Sequence, residues 1–208
     1  MDAPADDPRA ARSKRALIAA VTGLLDEHDL DELSITQVVA AAGVTRPTFY
    51  QHFGDLTELA RAAAVARLDT EFERHPAPAE APRSGTSGVS HVESVVRDLL
   101  EHLAAHRAFY RRVLHGPRSG AAVDAAVDLV ARRILERSLP LLGSAAGSDD
   151  SDPESEELRD SVVIVSGGIV WLLSGWLGTP LTGRDSVEAM AHRISVQLVR
   201  LGQSAPDR

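Results

Sequence analysis

"LSITQVVAAAGVTRPTFYQHFGDLTELA", Leu33 to Ala60, is the stretch whose reading decides the fold. Ser34 with Gln37 three residues on is a capping box: the hydroxyl meets the Gln37 amide and the Gln37 side chain reaches back to Ser34. Ile35, Val38, Val39 and Ala42 then recur at helical spacing as one apolar face. Gly43 stands where helices commonly stop with a positive φ, and Val44 follows as an apolar plug. Thr45 is a fitting N-cap for a second, very short helix. Pro47 falls in its first turn, where an amide has no intrahelical partner in any case. Asp55, with Glu58 three residues on, opens a further helix carrying Leu56, Leu59, Ala63 and Leu68.

Two short helices joined at a glycine, with one helix before and one after, form a helix-turn-helix arrangement. In such a unit the second helix enters the major groove of double-stranded DNA by its N-terminal residues. The residue types suit that task. Thr45 and Thr48 offer hydroxyls near a helix N-terminus, where free amides favour phosphate. Arg46 pairs with phosphate or guanine, Gln51 reaches a base edge, and Tyr50 and His52 reach phosphates. Phe49 and Phe53 are expected to face the core that holds the helix. The same spacing also fits a generic helical corner with a capping threonine, since the pattern recurs without DNA.

Working outward, residues 1 to 8 are an acidic, proline-bearing tail with no apolar signal segment. A first helix is expected from Ala10 to His28, with Leu17, Val21, Leu24 and His28 at helical spacing. Arg9, Arg12, Lys14 and Arg15 cluster at its start. "HPAPAEAPRSGTSG", His75 to Gly88, has linker composition. Helices are then expected at about 89–105, 107–115, 118–142, 156–178 and 185–201, with an acidic Gly/Ser loop from Gly143 to Ser155. The expected fold class is all-α, with a helix-turn-helix domain at 9–72, a linker at 73–88 and a C-terminal helical domain at 89–204.

Composition narrows the function. The chain has 208 residues, 44% hydrophobic and 25% charged, which is ordinary for a globular protein. It has no cysteine, which removes disulfides, thiolate metal sites and thiol nucleophiles and fits a cytoplasmic location. A net charge of −8 argues against loose, purely electrostatic nucleic-acid binding but leaves room for a local contact surface. Gly-rich phosphate loops, G-x-S-x-G and H-E-x-x-H are absent, so no enzyme and no cofactor are expected.

At this point a family resemblance becomes specific. Leu33–Ala60 resembles the N-terminal domain of TetR-family transcriptional regulators, whose pattern is an apolar helix, "T…IA..AGVS.GTLY.HF" and a capped following helix. The resemblance spans about Arg9 to Leu68; beyond it only helix number and order agree. It implies a homodimeric DNA-binding regulator, usually a repressor, whose last two helices pair between subunits and whose C-terminal domain holds an inducer. Carried over by position, the DNA-contacting set is Thr36, Thr45, Arg46, Pro47, Thr48, Tyr50, Gln51 and His52. Pro47 stands where the family usually has glycine, and Leu56 where it has a phosphate-binding lysine. Arg61 or the basic N-terminal residues would have to replace that anchor.

In the C-terminal half, "VVIVSGGIVWLLSGWLG", Val162 to Gly178, is uncharged but short for a bilayer span of ~20 residues, and it holds four glycines. It is expected to be a helix buried on more than one side, not a membrane anchor. Val162, Val165, Ile169, Leu172 and Trp176 make one apolar face, and Ile164 and Trp171 belong to another, with Gly167, Gly168 and Gly175 allowing close approach. A homodimer interface is expected from Val165, Ile169, Leu172 and Trp176 with Met190, Ile194 and Leu198 of the last helix; a central helix in a monomer fits the same pattern. A pocket for a small hydrophobic inducer is expected around Leu99, His102, Leu103, His106, Phe109, Tyr110 and Val113, residues that plain core would also explain. His102 and His106 lie one turn apart but lack a third ligand, so no metal site is expected. The alternatives are a helical interaction protein that has lost DNA binding, or an enzyme.

Overall fold

The structure is a computed structural model that describes residues 8–75, 85–115, 119–138 and 153–204, with side chains at 85–89, 137–138, 153–155, 184 and 202–204 excepted. The expected tail, most of the linker and most of the acidic loop therefore lie outside the described residues. Among the described residues the chain is helical without strands. The helices are α1 (Pro8–Glu27), α2 (Ile35–Ala42), α3 (Arg46–His52), α4 (Leu56–Glu73), α5 (Gly85–Ala105), α6 (Arg107–Leu114), α7 (Gly120–Arg133), α8 (Pro153–Gly178) and α9 (Val187–Ser204).

The expected helix ending at Leu142 departs from its pattern earlier: after Arg133 the backbone widens into a π-turn at Ile134–Ser138.

The chain forms two compact units that do not follow the boundaries drawn from the sequence. One holds Met1–Arg67 and His106–Ala122, the other Leu68–Ala105 and Val123–Arg208. In the first unit α1 packs on α2, α3 and α6. Its core takes Leu17, Val21 and Leu25 from α1, Val38 from α2, Phe49 from α3 and Phe109 from α6, all fully buried. Arg112 ends α1: its guanidinium donates to the carbonyls of Leu25 at 2.9 Å and Glu27 at 3.2 Å and to Asp29 Oδ1 at 2.7 Å. A cation there satisfies carbonyls that a helix terminus leaves open. This clamp explains why α6 belongs with the helix-turn-helix and not with the helices that follow it.

In the second unit α5 and α8 each pack on α9. Its core includes Leu100, Leu129, Val162, Leu177 and Met190. Trp176 is buried with its indole Nε1 donating to the Asp185 carbonyl at 2.7 Å. Ser166, also buried, bonds back to the Val162 carbonyl at 2.7 Å, which lets a hydroxyl sit inside α8. Residues Glu156–Gly178 of α8 are long and apolar enough to cross a membrane by length and composition.

Candidate functional site

The turn between α2 and α3 is built as its sequence dictates. Ser34 caps α2, accepting from the Gln37 amide at 3.3 Å while its own amide donates to Gln37 Oε1 at 2.8 Å. Gly43 takes φ 65°, and Val44 N–H closes on the Val39 carbonyl at 3.0 Å. Thr45 caps α3, with Oγ1 accepting from the Thr48 amide at 3.3 Å. The two threonine hydroxyls lie 2.9 Å apart, so part of their capacity is spent on the cap. Pro47 contributes no first-turn amide, which leaves this helix N-terminus fewer donors for an anion.

Two aromatics turn inward: Phe49 of α3 is fully buried, and Phe53, its C-cap, nearly so. On the opposite side Thr36, Arg46, Pro47, Tyr50 and Gln51 are exposed, Tyr50 at 58%. Arg46 Nη2 donates to Thr36 Oγ1 at 3.0 Å, so a side chain from each helix of the motif meets on this face. His52 is half-buried instead, with Nε2 2.8 Å from Ser13 Oγ of α1. Arg9, Arg12, Lys14 and Arg15 are exposed on α1. From Leu33 to Gly54 the sequence contains no acidic residue.

The start of α4 is chemically different. Asp55 Oδ1 accepts from the Glu58 amide at 2.8 Å, and Glu58 Oε2 accepts from the Gly54 amide at 2.7 Å. Arg61 stands 3.9 Å from Glu58 Oε1. With Leu56 half-buried in the first turn, acidic side chains occupy the amides that a phosphate would need.

A second candidate site is a cavity of about 110 Å³ inside the second unit. Its wall comes from the end of α4 (Leu68, Phe72), from α5 (Val92, Val95, Val96, Leu99, Leu100, Leu103), from α7 and its π-turn (Val130, Arg133, Ile134), and from α8 and α9 (Ile169, Leu173, Ile194, Leu198), with His75 and His91. Of the seven residues expected around a pocket, only Leu99 and Leu103 line it. Phe109, Tyr110 and Val113 are buried in the first unit, because the stripe that marks them apolar does not say which helix covers them. The two histidines part company. His102 Nδ1 faces buried Glu71 at 3.2 Å in the second unit, whereas His106 Nδ1 meets Arg67 Nη2 at 2.7 Å in the first. No metal-holding cluster occurs among the described residues.

Arg133 is the cationic point of the cavity wall. Its Nη2 bonds Asp69 and, at 3.0 Å, Glu73; its Nη1 bonds Glu136 at 3.3 Å. Burial opposes its charge, but the hydrogen bond to Asp69 and the fields of Asp69, Glu136 and Glu73 outweigh burial and raise its pKa further. Sequence reasoning missed this residue, the Arg112 clamp and the Ser13–His52 contact; none has a local spacing signal.

The residues expected at a dimer interface are also divided. Ile169, Trp176, Met190, Ile194 and Leu198 are buried within the second unit itself, Val165 is half-buried, and Leu172 is exposed at 37%. The exposed apolar side of α8 is Val163 at 54%, Ile164 at 74% and Trp171 at 80%, beside exposed Gly168 and Gly175.

Comparison with known proteins agrees with this architecture. Residues 17–63 match the family model of bacterial regulatory proteins, tetR family. A TetR-family transcriptional regulator from Streptomyces coelicolor superposes with a TM-score of 0.54 at 19% identity, covering 94% of this chain and 90% of its own. The TetR family repressor AlkX from Dietzia sp. strain DQ12-45-1b, implicated in biodegradation of n-alkanes, superposes at 0.52 with 16% identity over 91% and 97% of the two chains. At these identities the likeness is one of fold. No curated protein sequence matches the chain.

Proposed function

We propose that this chain, a TetR-family transcriptional regulator by its N-terminal domain, is a cytoplasmic, homodimeric repressor that grips a palindromic operator and lets go when a small apolar ligand enters the second unit. The observation that carries the DNA reading is the acid-free face of α2 and α3, where Thr36, Arg46, Tyr50 and Gln51 are exposed while Phe49 and Phe53 anchor the helix from behind. Arg46 and Gln51 have the chemistry to read base edges, and Thr45, Thr48 and Tyr50 to hold phosphates. Pro47 sits in the approaching turn as a shape contact.

His52 contributes chiefly through Ser13, fixing α1 against α3, and the exposed basic residues of α1 supply the phosphate anchor that Leu56 withholds. Catalysis has no part in this reading.

The dimer is the partner that the free side of α8 calls for. A Cβ built at Gly167, Gly168 or Gly175 would meet nothing within 4 Å inside the chain. Each helical glycine costs about 0.5–1 kcal/mol relative to alanine, so intrachain packing gives no reason for them. A second copy docking Trp171 over the glycine notch, and offering its own notch in return, gives a self-complementary two-fold contact. The dimer then sets the two α3 helices about 34 Å apart, one DNA turn. A ligand that prefers another spacing shifts the population away from the DNA-competent dimer. The helix suited to carry that preference is α4, which runs unbroken from the helix-turn-helix to the cavity residues Leu68 and Phe72.

The experiment is a gel shift with palindromic duplexes from the DNA beside the chain's own gene. Specific, steeply salt-dependent binding that disappears in Arg46→Ala, with light scattering giving a dimer for both proteins, is expected. Binding that survives Arg46→Ala and Tyr50→Ala together would sink the assignment.

A further inference from the structure

We infer that the cavity of the second unit takes a neutral, ring-sized apolar molecule bearing one hydrogen-bond acceptor, such as a ketone or ester carbonyl, and rejects the corresponding carboxylate. This deepens the ligand-responsive reading above and rests on it.

Three observations select that chemistry. The wall is dominated by aliphatic side chains such as Val96, Leu99, Leu103 and Ile169, which favour an apolar body. Among the described residues Arg133 Nε and Ser195 Oγ are the buried side-chain polar atoms without a hydrogen-bond partner, and of the two residues only Arg133 lines the cavity. A buried donor left unsatisfied is costly, so a ligand acceptor delivered to it is rewarded beyond an ordinary exchange of hydrogen bonds. The remaining guanidinium nitrogens are already engaged by Asp69, Glu73 and Glu136.

Those three carboxylates against one guanidinium leave a local formal charge of −2 (+1 − 3). A ligand carboxylate would add a fourth negative group beside these three, and like charges at close range disfavour it. Arg133 thus acts as a neutral-acceptor site even though it is a cation. The volume sets the size. About 110 Å³ is somewhat less than the ~150 Å³ of a dry cavity known to admit benzene, so a single ring or short chain fits with small outward movement of the wall.

Acetophenone, ethylbenzene and benzoate share a ring and differ in the acceptor and charge, so they serve as probes. Calorimetric titration of the full-length protein is expected to give acetophenone about tenfold tighter binding than ethylbenzene or benzoate, the worth of one good hydrogen bond to a buried charged donor. Arg133→Met should erase the preference for acetophenone over ethylbenzene while ethylbenzene still binds. Should that variant fail to fold, the wild-type ranking decides alone. Ethylbenzene equal to acetophenone, benzoate tightest of the three, or no binding of acetophenone overturns the inference. Leu103→Trp, which fills the cavity and leaves Arg133 in the sequence, is expected to abolish binding of every probe. Retained binding there places the ligand elsewhere and overturns it too. The gel-shift and light-scattering readouts of the regulator reading stay independent of all these outcomes.

Discussion

Residues 49 and 50 are neighbours on one turn of α3, yet they have opposite tasks, and single substitutions separate them. Phe49 is fully buried; its ring stands edge-on to Tyr50 at 5.3 Å and near Phe53 at 6.2 Å. Truncating a phenylalanine in such a site removes its transfer free energy and leaves a cavity, together about 3–5 kcal/mol. That is a large share of the ~5–15 kcal/mol that hold a typical domain. Phe49→Ala should therefore lower the melting temperature by about 10 °C or more. Tyr50 is 58% exposed, so Tyr50→Ala forfeits mainly the edge contact, about 1 kcal/mol. Tyr50→Phe keeps that contact and should melt like the wild type. On DNA the order reverses. If each half-site loses one charge-assisted bond to phosphate of about 1.5 kcal/mol, the dimer loses about 3 kcal/mol, close to a hundredfold in affinity. Far-UV circular dichroism melts and fluorescence anisotropy on the operator measure the two effects on the same samples. The reasoning fails if Tyr50→Ala melts as early as Phe49→Ala, or if folded Tyr50→Ala binds the operator as the wild type does.

Gly43→Ala should cost about 1 kcal/mol in urea unfolding, because its φ of 65° strains an L side chain although a Cβ there meets no atom within 4 Å; Gly43→Asn should recover part of the loss. An alanine variant as stable as the parent would contradict the observed turn. Arg112→Met should destabilise the first unit by about 1–2 kcal/mol, by releasing the carbonyls of Leu25 and Glu27 and the carboxylate of Asp29. An unmoved urea midpoint would remove the clamp from the account. Gly168→Ala should have effects of opposite sign: the dilute monomer gains about 0.5–1 kcal/mol of helix stability, while sedimentation equilibrium shows a weaker dimer. A tighter dimer would mean that α8 pairs by some other face.

The helix-turn-helix was legible because every landmark in it is a local rule. The Ser34–Gln37 box, the positive φ of Gly43 and the Thr45 cap each involve residues within four positions, and all three occur where the spacing put them. The allegiance of α6 was not legible. Its stripe of Phe109, Tyr110 and Val113 says that one side is covered, and nothing in the period says by what. The answer lies in Arg112, whose partner Asp29 is 83 residues away. The nominated pocket residues divide for the same reason: Leu99 and Leu103 line the cavity and His102 stays in the second unit, whereas His106, Phe109, Tyr110 and Val113 belong to the first. On α8 both sides are apolar, so the pattern alone did not say which was already covered inside the chain.

Charge raises the sharpest apparent conflict, since a protein of net charge −8 is asked to approach phosphate. Some of the acid is paired within the chain, Asp26 with Arg67, Asp29 with Arg112, and Asp69, Glu73 and Glu136 with Arg133, although such pairing leaves the net charge unchanged. The stretch from Leu33 to Gly54 carries none, and its Arg46 is exposed. At physiological salt, fields between exposed charges fade beyond about 8 Å, so distant acid weighs little on a contact made at α2 and α3. It does weigh on sliding and on loose binding, where attraction to phosphate is nearly the whole of the free energy. If the chain reads DNA as proposed, an acidic body with an acid-free reading stretch lowers non-specific affinity more than specific affinity. Under the proposed function an apolar Leu56 at the start of α4 acts in the same direction, because a phosphate contact there would serve every DNA sequence equally.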